Sequence, residues 1–314
     1  MRDRARREDR CSGETHVVPR ESRVVDSFDM RIADLSTTDL DQLHALSISV
    51  GWPHRAEDWQ LLREIGEGIV AMDEIGRIMG SAMWFPYDVH FATIGMVITS
   101  PRLQSNGAGQ WLMGHVLDRL EGRDLGLNAT RAARRLYQSL NFTREGTVYQ
   151  CNGEAIAPPE LDPPVGSVLR ALKPGDLDAI VELDKAAFGA DRRILLARLL
   201  TCSKGIGLMR GGKIEAFSLC RPFGRGHVIG PVVAAGDEDA IAVVHPHATR
   251  HAASFLRLDT REKDGRFSEF LSRCGLPVYD TVTTMSLGRR WLAVRQGDAP
   301  REPRTYALAS HTLG

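Results

Sequence analysis

Apolar positions three and four residues apart open the orderly part of the chain. Leu43, Leu46, Ile48 and Val50 follow Asp39-Leu40-Asp41, and Ile180, Val181, Leu183 and Phe188 follow Asp176-Leu177-Asp178. This spacing predicts an amphipathic helix at each place, started by an aspartate. The two helices lie at an offset of 137 residues, and Gly68-Ile69 recurs as Gly205-Ile206 at the same offset. Met72 to Met83 and Met209 to Leu219 each read as two apolar strands around a turn, at Gly76 and at Gly211-Gly212. Ile94-Gly95-Met96-Val97 then matches Ile229-Gly230-Pro231-Val232, and Leu127-Asn128 matches Leu258-Asp259 at the shorter offset of 131. The chain therefore repeats itself, and its second copy is shorter between these last two landmarks.

Each copy reads as a helix, a strand hairpin, a third strand, a helix, a strand, a helix and a final strand. That order predicts an α/β (α+β) fold of two tandem domains, each a mixed, mostly antiparallel sheet flanked by helices. The first domain is expected over 30–154 and the second over 167–291, joined by a 155–166 linker that carries Pro158, Pro159, Pro163 and Pro164. Residues 1–29 show no apolar period and are expected to be a disordered tail, with Met30 as a candidate translation start. Periodicity also fades over 292–314, which is expected to be a flexible tail.

Composition narrows the partners. With 40 basic and 40 acidic residues in 314, and 43% hydrophobic residues, the chain can bury sizeable cores but presents no basic surface for nucleic acid. Arginine outnumbers lysine 35 to 5, which fits a GC-rich bacterial genome. Cys11, Cys151, Cys202, Cys220 and Cys274 are scattered, odd in number and without metal-ligand spacing, which suits a reducing cytoplasm. No apolar run is long enough for a membrane helix, and no metal constellation stands out. A small-molecule partner is the expectation.

The candidate chemistry lies after the strand Val97-Ile98-Thr99. Gln104-Ser105-Asn106-Gly107-Ala108-Gly109-Gln110 leads into a helix with apolar Leu112, Val116, Leu117 and Leu120. Glycines at 107 and 109 let the backbone approach an anion closely, and the helix start points N–H groups and a positive dipole end at it. Neither a P-loop lysine nor a G-x-G-x-x-G pattern is present, which disfavours nucleotide hydrolysis and dinucleotide binding.

Gln104-x-x-Gly107-x-Gly109 after an apolar strand resembles the Q/R-x-x-G-x-G/A signature of the GNAT N-acetyltransferases. Leu136-Tyr137-Gln138-Ser139-Leu140-Asn141-Phe142 resembles that family's closing L-Y-x-x-x-G-F segment, with Asn141 in place of Gly and Thr130 where an Asn is common. The early Gly51-Trp52-Pro53-His54-Arg55, with the late Arg221 to His227 and Gly230-Pro231-Val232-Val233, is similar to the tandem YitH/HolE-type branch over about residues 30–290. The resemblance implies that acetyl-CoA, or another acyl-CoA, is co-substrate, with its pyrophosphate on residues 104–110. It implies a bulged strand whose backbone N–H groups at Val97, Ile98 and Thr99 meet the thioester and pantetheine, and Tyr137 as general acid for the leaving thiolate. Direct transfer to the primary amine of a small molecule through a ternary complex would follow, without a metal.

For the base, His54, His90 and Asp88 are candidates by position, beside a family habit of water-mediated deprotonation. Trp52, His54 and Trp84 are expected to line the acceptor pocket, with Phe85 and Tyr87 as further aromatics. The second copy has no equivalent glycine loop, and Gly236-Asp237-Glu238 would repel a pyrophosphate. It is expected to wall the acceptor cleft, where Arg221, Arg225, His227 and Asp259 could reach substrate, or to serve as a stabilising pseudo-dimer. A hydroxyl acceptor, or an acyl-CoA sensor without turnover, remains an alternative. The assembly is expected to be a monomer or a homodimer.

Overall fold

The computed structural model describes residues 21–25, 28–104, 106–292 and 302–314. The first copy runs β2 (Phe28–Asp34), α1 (Leu40–Ser49), α2 (Ala56–Ile65), β3 (Glu67–Met72), β4 (Ile78–Pro86), β5 (Phe91–Thr99), α3 (Ala108–Arg119), β6 (Asp124–Ala129), α4 (Arg134–Ser139) and β7 (Thr143–Glu154), preceded by β1 (Ser22–Val25). The second runs β8 (Val168–Ala171), α5 (Leu177–Phe188), α6 (Arg193–Cys202), β9 (Lys204–Arg210), β10 (Lys213–Phe223), β11 (Gly226–Ala234), α7 (Asp237–Arg250), β12 (Phe255–Thr260), α8 (Arg266–Arg273) and β13 (Val278–Leu287). A last strand, β14 (Arg304–Ala307), follows. An aspartate caps α1, where the Asp39 side chain accepts from the Asp41 N–H; at α5 Asp176 precedes the helix without capping it, and its carboxylate accepts from Arg170 and the Lys173 N–H instead.

Both copies join one sheet in the order β1-β2-β3-β4-β5-β6-β13-β7-β12-β11-β10-β9-β8, with β14 on β11. All described pairings are antiparallel except β5 with β6 and β11 with β12, the two places where a helix carries the chain back across the sheet. The predicted class holds: two similar mixed α/β halves, mostly antiparallel, flanked by helices. Their boundary is a different matter. β13 of the second copy lies between β6 and β7 of the first, pairing Thr283 with both Ala129 and Thr147, while β7 pairs with β12, Asp259 opposite Gln150. The copies have exchanged their final strands, so limits at 154 and 167 divide the sequence but not the sheet.

The packing shows the same fusion. Leu43, Trp59 and Phe85 of the first copy share one buried cluster with Ile180, Leu196 and Phe217 of the second and with Ala309 and Leu313 near the C-terminus. The opposite face of the first copy packs under α3, where Leu112, Met113 and Val116 meet Trp84, Ile94 and Leu127. Ile48, counted in the apolar stripe of α1, is 57% exposed, because the stripe through Leu43, Leu46 and Ser47 turns it to the far side.

Two expected tails are corrected. Within 1–29, Ser22–Val25 forms a strand against β2, with Arg23 opposite Met30, because the β2 edge offers free backbone groups; residues 1–20 lie outside the described residues. Within 292–314, β14 pairs with Val232–Ala234, and Tyr306, Ala307, Leu308, Ala309 and Leu313 are buried. Four consecutive apolar side chains hold this segment against the sheet. The Arg192 guanidinium, fully buried with Asp184 at 2.6 Å, donates to the carbonyls of Leu313 and Gly314 at 3.3 and 2.7 Å. Breaking such a buried pair costs about 3–5 kcal/mol.

Strand exchange predicts that cutting the 158–164 segment does not separate the halves. After cleavage at an inserted protease site there, the fragments are expected to elute as one particle and to unfold in a single thermal transition; two transitions would contradict it.

Candidate active site

β5 and β6 pair in parallel only from Phe91/Asp124 to Ile94/Leu127, then part. At the parting β5 is bulged: Ser81 faces Ile98 and Met83 faces Gly95, so Met96 and Val97 together oppose Ala82. Met96 has φ +50°, and its carbonyl accepts from the Ser81 hydroxyl at 2.7 Å. Beyond Ile94 the β6-facing edge of β5, which includes Val97, Ile98 and Thr99, has no strand ladder. The result is a fork with backbone donors along one arm.

The loop at the tip of the fork turns through Gly107, whose φ of +76° lies in the left-handed region that glycine tolerates. Gly107 caps α3 without a side chain, and no acidic residue occupies the first turn, so the N–H groups at Ala108, Gly109 and Gln110 start the helix open to an anion. A Cβ on Gly109 would lie 3.2 Å from Leu136 of α4, so this glycine sets how closely the two helices approach. Gln104 folds back, its side-chain amide donating to the Thr99 carbonyl at 3.3 Å, and Asn106 is exposed. Ser105 lies outside the described residues. Arg23 of β1 reaches this loop, donating to the Gly107 carbonyl at 3.2 Å. It adds a cation that the sequence alone does not connect with the loop.

A cavity of about 550 Å³ opens at the base of the fork, walled by both copies. Tyr137 on α4 lines it, buried at 6% exposure, and its hydroxyl makes no hydrogen bond to another described residue. Burial pushes that phenol well above its ordinary value, so it keeps its proton. Asn141 ends α4 with φ +64°, the left-handed geometry for which glycine is commoner. Trp52 and His54 line the cavity too, their rings 5.7 Å apart, with Phe223 of the second copy edge-on to His54 at 5.2 Å. His54 is pushed down to about 4, first by burial and then by the charges of Arg257, His311 and Arg221 against the opposing pull of Asp58. Its Nδ1 is shielded and unpartnered.

Other expected residues fall elsewhere. Trp84 does not reach the cavity; the pleat of β4 points it into the cluster under α3, with Met79 and Ala82. Phe85 is buried on the opposite face. Asp88 and His90 form the β4–β5 turn, where Asp88 accepts from the N–H groups of His90 and Phe91, away from the fork. Tyr87 holds the C-terminal segment, donating to the Leu313 carbonyl at 2.6 Å. Of the second-copy residues, Arg225 lines the cavity with its guanidinium 4.5 Å over Phe255. Arg221 is buried and holds the carbonyls of Gly230 and Ala309 at 3.2 and 2.9 Å. His227 stacks on His251 outside the cavity.

The second copy repeats the fork. β11 and β12 pair from His227 to Ile229 and then part, and β11 carries the matching bulge: Ser218 faces Val232 and Cys220 faces Ile229, so Gly230 and Pro231 together oppose Leu219. This fork is filled. β14 takes the place beside β11, the Leu308 N–H donates to the Asp259 carbonyl at 2.9 Å, and the Thr260 hydroxyl donates to the Tyr306 carbonyl at 2.6 Å. Asp237 in the first turn of α7, where the first copy is open to an anion, instead accepts from Arg304 at 2.9 Å and from the Tyr306 hydroxyl at 2.7 Å. The segment then crosses to the first copy. Asn128 donates to the His311 carbonyl at 2.8 Å, and Thr312 packs on Gly95. His311 lines the cavity, its Nε2 3.4 Å from the buried Asp259 carboxylate, which Arg257 grips at 2.9 Å. Burial alone would push Asp259 up, but Arg257 and His311 hold its carboxyl well below the usual range. Sequence reasoning missed Arg257, His311 and Thr312; the apolar run Tyr306-Ala307-Leu308-Ala309 was the available sign that the tail is anchored.

A splayed parallel strand pair with a bulge, a glycine turn into a helix and a tyrosine on the following helix define an acetyltransferase of the GNAT family, to which the chain belongs. Residues 37–142 match the acetyltransferase (GNAT) family and residues 180–298 match an acetyltransferase (GNAT) domain. The uncharacterized N-acetyltransferase YitH of Bacillus subtilis (strain 168) is 25% identical over 273 residues, covering 84% of this chain and 91% of YitH. A putative acetyltransferase from Pyrococcus horikoshii shares the fold at TM-score 0.72 and 18% identity, over 91% of this chain and 96% of that one. So does a tandem GNAT protein from the clavulanic acid biosynthesis pathway, at TM-score 0.59 and 14% identity, over 82% and 98%. No helix among the described residues is long and apolar enough to cross a membrane.

Two histidines, His54 in the site and His247 on α7, give the protein a pH signature. His54 and the buried His247, which bonds the Ser218 hydroxyl at 3.0 Å, are both pushed down to about 4, chiefly by burial. The unfolded chain therefore binds more protons than the native one between pH ~6.5 and ~4, and stability falls as pH drops through that window. Urea unfolding is expected to show a loss on the order of 3 kcal/mol from His247 alone between pH 7 and pH 4, with His54 adding in the same direction. His247→Gln, His54→Gln should flatten that slope; an unchanged slope would refute the assignment.

Proposed function

We propose that the chain transfers the acyl group of acetyl-CoA, or of another acyl-CoA, to a primary amine of a small molecule, by direct attack within a ternary complex. The observation that carries this reading is the contrast between the two forks, one open beside a free tyrosine hydroxyl and one filled by β14. The first-copy loop fits a pyrophosphate: Gly107 leaves the start of α3 uncovered, no carboxylate stands in its first turn, and Arg23 is close by. Acyl-CoA supplies the activated thioester. The remaining work falls to the chain.

In this reading the open edge of β5 around Val97, Ile98 and Thr99 binds pantetheine and the thioester carbonyl, where backbone donors stabilise the developing oxyanion. Tyr137, kept protonated by burial, donates to the departing sulfur. The acceptor occupies the cavity beside Trp52 and His54, whose depressed basicity keeps the ring neutral. A volume of about 550 Å³ walled in part by the second copy suits a small molecule.

Calorimetry and thiol release test this together. Acetyl-CoA is expected to bind at one site per chain, and Gly107→Val, which forces a branched side chain into the left-handed region, should weaken binding by at least about tenfold. Tyr137→Phe should retain affinity while turnover with a primary amine falls by about 100-fold. Two sites per chain would overturn the assignment of the second fork. Equal loss of affinity and turnover in Tyr137→Phe would overturn the role of its hydroxyl, and binding without turnover on any amine would favour a sensor.

A further inference from the structure

We propose that His311 is the base that takes the proton from the acceptor nitrogen, carried into the first copy's site by the C-terminal segment and seated on Asp259 of the second copy. This rests on the transferase reading above. Position is the first argument. The His311 carbonyl is held by Asn128 at the end of β6, and Thr312 packs on Gly95 with its hydroxyl 3.6 Å from the Met96 sulfur. These contacts pin the residue across the base of the fork, between the two strands that part there. Its ring lines the same cavity as Tyr137.

The second argument is that the placement is built. The Ala309 N–H donates to the Gly314 carbonyl at 2.8 Å and the Gly314 N–H to the Ser310 carbonyl at 3.0 Å, closing a turn that presents His311. Arg221 holds the Ala309 carbonyl and Arg192 the carbonyls of Leu313 and Gly314. A side chain of no consequence needs no such scaffold on both of its flanks.

Electrostatics supplies the third. Nε2 lies 3.4 Å from the Asp259 carboxylate, and the Arg257 guanidinium lies 3.2 Å from Nδ1 and 3.4 Å from Nε2. Asp259 is fully buried and ionised, so it stabilises an imidazolium as it forms and orients the ring. Arg257 balances the carboxylate in the resting state. The other charged or titratable groups that line the cavity are His54, from the loop between α1 and α2, Arg225 at the start of β11, Tyr279 and Asp280 of β13 and Tyr137 of α4. His54 is a poor rival, being pushed down to about 4, and Asp88 and His90 stand at the far turn.

The amine lone pair attacks the thioester carbonyl carbon and the C–N bond forms. The nitrogen passes one proton to a ring nitrogen of His311, the C–S bond breaks, and the sulfur takes a proton from Tyr137. Proton exchange with solvent then returns the imidazolium and the phenolate to their starting forms.

The test measures thiol release from acetyl-CoA over a panel of primary amines that includes a diamine, an amino sugar and amino acids, in the full chain. Acetyl-CoA affinity by calorimetry and thermal unfolding serve as controls. His311→Gln is expected to keep affinity, to lower kcat by about 100-fold and to change the pH–rate profile measured beside the wild type. In His311→Ala, added imidazole should restore a large part of the lost rate. If His311→Gln turns over like the wild type with the same profile, the assignment is overturned while the transferase reading stands. If the variant loses stability or affinity, imidazole rescue of His311→Ala decides: rescue supports the base and its absence overturns it. No release by the wild type on any amine overturns the transferase reading and the assignment with it.

Discussion

Two parallel strands that part expose rows of backbone donors and acceptors that must be satisfied by something, and this requirement organises the protein. Each copy contains such a fork, made by the same bulged strand and the same helical crossover. In the second copy the chain answers with its own β14, ladder to ladder. In the first no strand among the described residues takes that place. The asymmetry is reinforced at the helix starts, where Gly107 leaves α3 bare and Asp237 on α7 binds Arg304 and Tyr306 of the strand that fills the gap. The same two places, one bare and one acidic, thus select opposite occupants.

The filled fork is also an anchor. From β14 the chain runs directly to the base of the first fork, and Arg192, Arg221, Asn128 and Tyr87 all hold carbonyls of the segment from Ala309 to Gly314. Arg192 and Arg221 are buried cations, and burying them without these partners would be costly. The second copy therefore positions the wall of the first copy's cavity by hydrogen bonding through the backbone, which fixes geometry more tightly than apolar contact.

Much of this could be read from the chain. Repeated Asp-Leu-Asp helix starts, paired hairpins and glycines at 107 and 109 each impose a local conformation, and local conformation is what periodicity reports. The strand exchange was not legible, because β7 and β13 carry the alternation of any half-buried strand whichever neighbour they pair with. Trp84 was misplaced since its face depends on the pleat of β4, and one bulge or residue of phase sends the ring to the other side. The tail was misread because Tyr306 to Ala309 is too short to show a period and follows a polar stretch. His311 became visible only through Asp259, a residue from the other end of the repeat brought near by the sheet.

Exchange of the final strands has a consequence for synthesis on the ribosome. β6 and β7 of the first copy cannot complete their pairing until β13 has been made, and everything from the proline-bearing connection through α8 is translated in between. During that interval β6 and β7 of the nascent first copy lack their partner strand, and an unsealed sheet edge is the kind of surface that recruits other strands. The native pairing of the first copy thus closes only once the second copy has been made.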